Sequence, residues 1–151
     1  MNMIRVRRPA ALKRLEAFIG EWTLEATFSG AEPGRAVFEW MIDGQYLLER
    51  STLPGAPTSV AIVSVDPSGK SYTEHYFDSR GVARVYRMTF ANGDWTLLRD
   101  SPDFTPLDFW QRYRGRFSRD GKVINGAWET SADGSRWEHD FNLTYTKLDR
   151  P

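Results

Sequence analysis

From Gly20 onward the apolar pattern changes to a period of two, and the alternating segments are punctuated by glycine-containing dipeptides. These are Asp43-Gly44, Ser68-Gly69, Asn92-Gly93, Asp120-Gly121 and Asp133-Gly134. Asn-Gly and Asp-Gly tolerate the positive φ of the tight turns that join antiparallel strands. The pattern predicts an antiparallel meander of about ten strands. Before Gly20 the period is different: PAALKRLEAFIG sets Leu12, Leu15, Phe18 and Ile19 at helical spacing behind Pro9, which predicts a short amphipathic helix ended by Gly20. A meander of this length either closes or leaves two edges of unpaired backbone groups. Closure removes the edges, so an all-β, up-and-down barrel with an N-terminal capping helix is expected.

A two-residue turn also fixes which residues lie opposite one another. With Asp133-Gly134 as such a turn, Trp128 faces His139; with Asp120-Gly121 as another, Tyr113 faces Trp128. Both registers put Phe109, Gln111, Tyr113, Phe117, Ile124, Trp128, Trp137, His139, Phe141, Leu143 and Tyr145 on one surface. Arg112, Arg114, Arg116, Glu129, Glu138 and Asp140 fall on the other, as suits a barrel with aromatics inside and charges outside. The turn at Asn92-Gly93 groups Tyr86, Met88, Phe90, Trp95 and Leu97 inward, together with Arg84 and Arg99. A tight turn at Ser79-Arg80 would bring His75 inward beside Arg84 and send Glu74 out.

Composition narrows the function classes. The 151 residues suit one domain, expected over 9–151 behind a flexible arm at 1–8 that carries Arg5, Arg7 and Arg8. Twenty basic and twenty acidic residues cancel, so no net field favours nucleic acid or an anionic membrane. The absence of cysteine excludes disulfides, thiolate metal sites and cysteine nucleophiles. No apolar run reaches the roughly 18 residues of a membrane span, and MNMIRVRRPA lacks the apolar core of a signal peptide, so a cytoplasmic location is expected.

Several segments together resemble bacterial lipocalin-like proteins of the calycin superfamily, a group with no agreed activity. They are the helix leading into Ile19-Gly20-Glu21-Trp22, then FEWMIDGQYLLER (38–50), YFDSRGV (76–82) and the closing WEHDFNLTYTK (137–147). Lipocalins, fatty-acid-binding proteins and nitrobindins belong to the same superfamily. The resemblance covers about residues 12–147 and implies a barrel with a ligand cavity, the Trp22 indole plugging its floor.

Roughly ten strands enclose more space than side chains readily fill. Six tryptophans, six tyrosines and nine phenylalanines suit a wall for a small apolar or planar ligand. The candidate ligand-binding set is Trp40, His75, Arg84, Tyr86, Met88, Trp95, Arg99, Gln111, Tyr113, Trp128, His139 and Phe141. Two inward guanidiniums, Arg84 and Arg99, would suit a ligand carboxylate, much as fatty-acid-binding proteins use interior arginines. The competing readings are arginines at the mouth in water, or paired with an inward acid such as Glu39 or Glu49. A filled aromatic core is the alternative to a cavity.

No cofactor is expected, and no metal site: two histidines on different strands, without HExxH spacing, make no ligand set. The nitrobindin likeness raises haem with His139 as axial ligand as an alternative. No GxSxG, Walker loop or GxGxxG is present and no catalytic residue is assigned. An isomerase or cyclase would use the same lumen, through His139 with Tyr113 or His75 with Arg84. DSPDFTPLDF (100–109) and LPGAPTS (53–59) read as lids or long connections. Partners are expected to be a small hydrophobic ligand and, at most, a second copy of the chain.

Overall fold

The computed structural model describes residues 9–28, 30 and 32–149; the expected arm at 1–8 lies outside the described residues. A short helix, α1 (Ala10–Arg14), runs into a 3₁₀ turn (Leu15–Phe18). Ten strands follow: β1 (Gly20–Ala26), β2 (Gly34–Met41), β3 (Tyr46–Thr52), β4 (Ser59–Val65), β5 (Tyr72–Asp78), β6 (Ala83–Ala91), β7 (Asp94–Arg99), β8 (Trp110–Phe117), β9 (Val123–Ser131) and β10 (Glu138–Lys147). Each strand pairs antiparallel with its sequence neighbour, and β1 pairs with β10, so the ten-stranded barrel closes. Closure is what the alternation predicted.

Helix and first strand seal one end. Pro9 begins the helix with φ −66°, and Gly20 leaves the 3₁₀ turn at φ 133°, a value only glycine adopts without strain. Trp22 is fully buried and its indole N–H donates to the Phe18 carbonyl at 2.8 Å. The Phe18 ring lies within 5.3 Å, centroid to centroid, of Phe38, Phe90, Trp95 and Phe117. Tyr72 donates to the Ala11 carbonyl at 2.6 Å and so ties the helix to the floor. Each such buried aromatic contributes about 1.5–3 kcal/mol through the area it removes from water. Trp40 and Met88 belong to this floor and its surroundings, not to the cavity above it.

The register agrees with the turn argument at two turns and departs from it at two others. Asn92-Gly93 is a true two-residue turn, φ 53° and 80°, between paired Ala91 and Asp94. At Asp120-Gly121 the loop is longer but symmetric about the dipeptide, Ser118 N–H donating to Val123 O at 2.7 Å, so Tyr113 does face Trp128. At Asp133-Gly134 the expectation fails. The Asp133 carboxylate accepts from the N–H groups of Ser135 and Arg136, the loop lengthens, and an irregularity between His139 and Phe141 places Phe141, not His139, opposite Trp128. Trp137 therefore lies outside, where the Arg112 guanidinium sits 4.0 Å over its ring.

The Ser79-Arg80 turn is also longer than expected. Asp78 N–H closes on Val82 O, which sets Tyr76 opposite Arg84 and His75 opposite Val85. One residue of slip exchanges the faces of a strand. Glu74 consequently points in and His75 out, the reverse of the sequence expectation.

The outer face carries the expected charges in pairs, Glu129 accepting from both Arg112 and Arg114. Among the described residues no helix is long and apolar enough to cross a membrane.

Candidate functional site

Above the floor the barrel encloses a cavity of about 500 Å³ that reaches the loops at the end opposite the helix. Trp95, Tyr86, Tyr113, Trp128, Phe141 and Tyr145 form most of its aromatic wall. Tyr113 lies flat because of two glycines. Gly115 and Gly126 are paired across β8 and β9, and a Cβ on Gly115 would stand 2.7 Å from the Tyr113 ring. Its hydroxyl reaches over them to donate to the Leu143 carbonyl at 3.1 Å. The glycines thus clear room for a ring along the wall that would otherwise cross the lumen.

Polar groups in the cavity fall into three sets. Near the mouth, Gln111 Oε1 accepts from Arg84 Nη1 and from the Tyr86 hydroxyl, both at 3.1 Å, and burial pushes the Tyr86 phenol up to about 12. Arg84 Nε and Trp95 Nε1 are buried with no hydrogen-bond partner among the described residues. At the rim, Asp78 accepts from the Tyr76 hydroxyl at 2.8 Å and from Arg80 at 2.7 Å. Burial works against ionising Asp78, and the Arg80 and Tyr76 hydrogen bonds outweigh it, leaving the carboxyl at about 2.

The third set consists of two carboxyls. Glu49 Oε2 accepts from Ser51 at 2.9 Å and from the Tyr145 hydroxyl at 3.0 Å; burial raises its pKa, and those hydrogen bonds offset only part of the rise. Glu74 is 4% exposed, and burial, reinforced by Glu49, raises it well above the ordinary 4.5.

Of the expected ligand set, Arg84, Tyr86, Trp95, Gln111, Tyr113, Trp128, His139 and Phe141 line this cavity, whereas Trp40, His75, Met88 and Arg99 do not. Arg99 is the main correction. It is 2% exposed and clamps Asp103 with two bonds, Nε–Oδ2 at 2.9 Å and Nη2–Oδ1 at 3.0 Å, while Nη2 also donates to the Thr105 and Pro106 carbonyls. Asp103 further accepts from the Val85 and Thr105 N–H groups. Burial opposes its ionisation, and these donors hold it well below the usual aspartate range all the same. Arg99 therefore anchors the 100–109 segment and is not available to a ligand.

His139 sits at the rim with Asp140, exposed, its Nε2 2.8 Å from Asn142 Oδ1. This does not fit an axial haem ligand as placed, since metal coordination through Nε2 would first have to break the Asn142 contact. Among the described residues no group of three or more His, Asp or Glu side chains could hold a metal ion.

The sequence reading leaves Glu74 and Tyr76 out of the cavity, and it puts Glu49 and Tyr145 inside without naming either as a ligand contact. Glu49 enters the sequence reading as a partner for an inward arginine, whereas its hydrogen bonds come from Ser51 and Tyr145. For Glu74 the signal was the loop length after Asp78.

No family model matches the chain, and no curated protein matches it. Among solved structures it is similar to the crystal structure of Rv2717c from M. tuberculosis, with a TM-score of 0.64 at 12% identity over 95% of this chain and 100% of that one. At that identity the likeness concerns the fold alone. A ten-stranded closed barrel with a helix across one end is consistent with the calycin-like class implied by the sequence resemblance.

Proposed function

We propose that this barrel binds a small, largely apolar or planar molecule in its lumen. The observation that carries the reading is the cavity itself, about 500 Å³ with a largely aromatic wall that carries polar groups in discrete sets, within the size range of small-molecule sites. Apolar burial against Trp95, Trp128 and Phe141 supplies affinity, and the polar groups set orientation. A carboxylate on the ligand loses half its expected support, because of the two arginines Arg99 is committed to Asp103 and Arg84 alone lines the lumen.

Two other uses of the lumen have an observation behind them. The Glu49–Tyr145 hydrogen bond joins a carboxyl and a phenol, as proton transfer in an isomerase or cyclase requires. His139 lies on the cavity rim, which keeps haem in the test although Nε2 is engaged.

The test is native mass spectrometry and an absorbance spectrum on freshly purified protein. The expected result is a bound organic mass lost on unfolding, or a melting temperature raised by apolar aromatic fragments. A Soret band abolished by His139→Ala would replace the reading with haem. A clean apo mass with no fragment raising the melting temperature would sink it.

A further inference from the structure

We propose that the lumen takes an organic cation, an aromatic or otherwise apolar amine whose protonated nitrogen is received by Glu74 and Glu49. This rests on the lumen reading above and gives the ligand its chemical class. Glu74 is 96% removed from solvent, lines the cavity, and has no hydrogen-bond partner among the described residues. Glu49 directs both of its hydrogen bonds to Oε2, so Oε1 is left open. Among the described residues no cation is used on either group: Arg80 bonds Asp78, Arg99 bonds Asp103, and Arg84 bonds Gln111.

A buried carboxyl without a donor is costly, and proteins keep such groups paired. Of the two guanidiniums lining the cavity, Arg80 is paired with Asp78 and Arg84 alone stands against the two carboxyls, so ionising both leaves a place for one more positive charge. Burial raises both carboxyls above the ordinary range, a cost that a bound cation would offset. The surroundings also favour a cation over a neutral donor. Tyr86, Tyr113, Trp128 and Tyr145 line the same space, and ring faces attract organic cations. A ligand carboxylate would meet the opposite environment, two acidic groups below it and a single arginine not already paired with a carboxylate.

Three probes of nearly one shape test this: 1-naphthylmethylamine, 1-naphthalenemethanol and 1-naphthoic acid, titrated calorimetrically into the full chain at neutral pH. The amine is expected to bind at least about tenfold tighter than the alcohol, through charge-assisted hydrogen bonds. Glu74→Gln should bring the two within about threefold of each other. If the alcohol or the acid binds the wild type as tightly as the amine, the cation inference fails and the lumen reading stands. If no probe binds, both fail. A preference for the amine that survives in Glu74→Gln and in Glu49→Gln overturns the site assignment. Should a variant not fold, the wild-type ranking of the three probes still decides the ligand class.

Discussion

Tyr113 shows how much of the cavity depends on single residues. Its ring fits along the wall only because Gly115 and Gly126 present no Cβ beneath it. Gly126→Ala is therefore expected to push the ring into the lumen, break its bond to the Leu143 carbonyl and cost about 1–3 kcal/mol, the range for an overpacked interior. Chemical denaturation measures the loss, and reduced capacity for an apolar probe should accompany it. His139 is the opposite case. It is exposed and bonds only a side chain on its own strand, so His139→Ala should change stability by less than about 0.5 kcal/mol. A larger loss would mean that the imidazole is held by more than Asn142.

At the scale of elements, loop length decides which face a strand shows. The 100–109 segment contains Pro102 and Pro106 and forms no strand, yet it is fastened by one buried ion pair. Removing the cation with Arg99→Met would leave Asp103 buried and unpaired, at a cost of about 3–5 kcal/mol. Phe104, already 70% exposed in this segment, should then be cut faster by chymotrypsin. Unchanged proteolysis would show that the prolines and Thr105, which donates to the Ala83 carbonyl at 2.7 Å, hold the segment by themselves. The position of Arg99 on an inward face was legible from the alternation. Its partner was not, because Asp103 lies where the strand pattern has ended and its direction depends on how the loop folds back.

For the whole molecule, the interior acids give stability a dependence on pH with a definite sign. Asp78 and Asp103 have folded values below the ordinary 3.8, so their contribution is present above about pH 4 and is lost as pH falls. Glu49 and Glu74 have folded values above 4.5, so theirs is present below that pH and is lost as pH rises through the folded values. The ligand-free protein is expected to melt highest at about pH 4–5 and progressively lower toward neutrality. Glu74→Gln should flatten the upper limb, and a wild-type melting temperature independent of pH over that limb would contradict the assignment. At the closed end, Trp22→Ala should cost about 3–5 kcal/mol, since the indole is fully buried and also carries the bond to Phe18.

By itself the sequence determined the all-β class, a count of about ten strands, closure, the N-terminal capping helix, and the row in which Tyr113 faces Trp128. Those features follow from local alternation and from turn dipeptides whose loops are symmetric, while the place of Trp22 in the floor came from the family resemblance. Only the tertiary structure decided that Glu74 enters the lumen while His75 leaves it, that Trp137 lies outside, and that Arg99 is already paired. Strand faces have a period of two, so one extra residue in the loops after Asp78 and Ser131 exchanges inside for outside. Pairing in the interior depends on distances between strands and loops that no spacing along the chain contains.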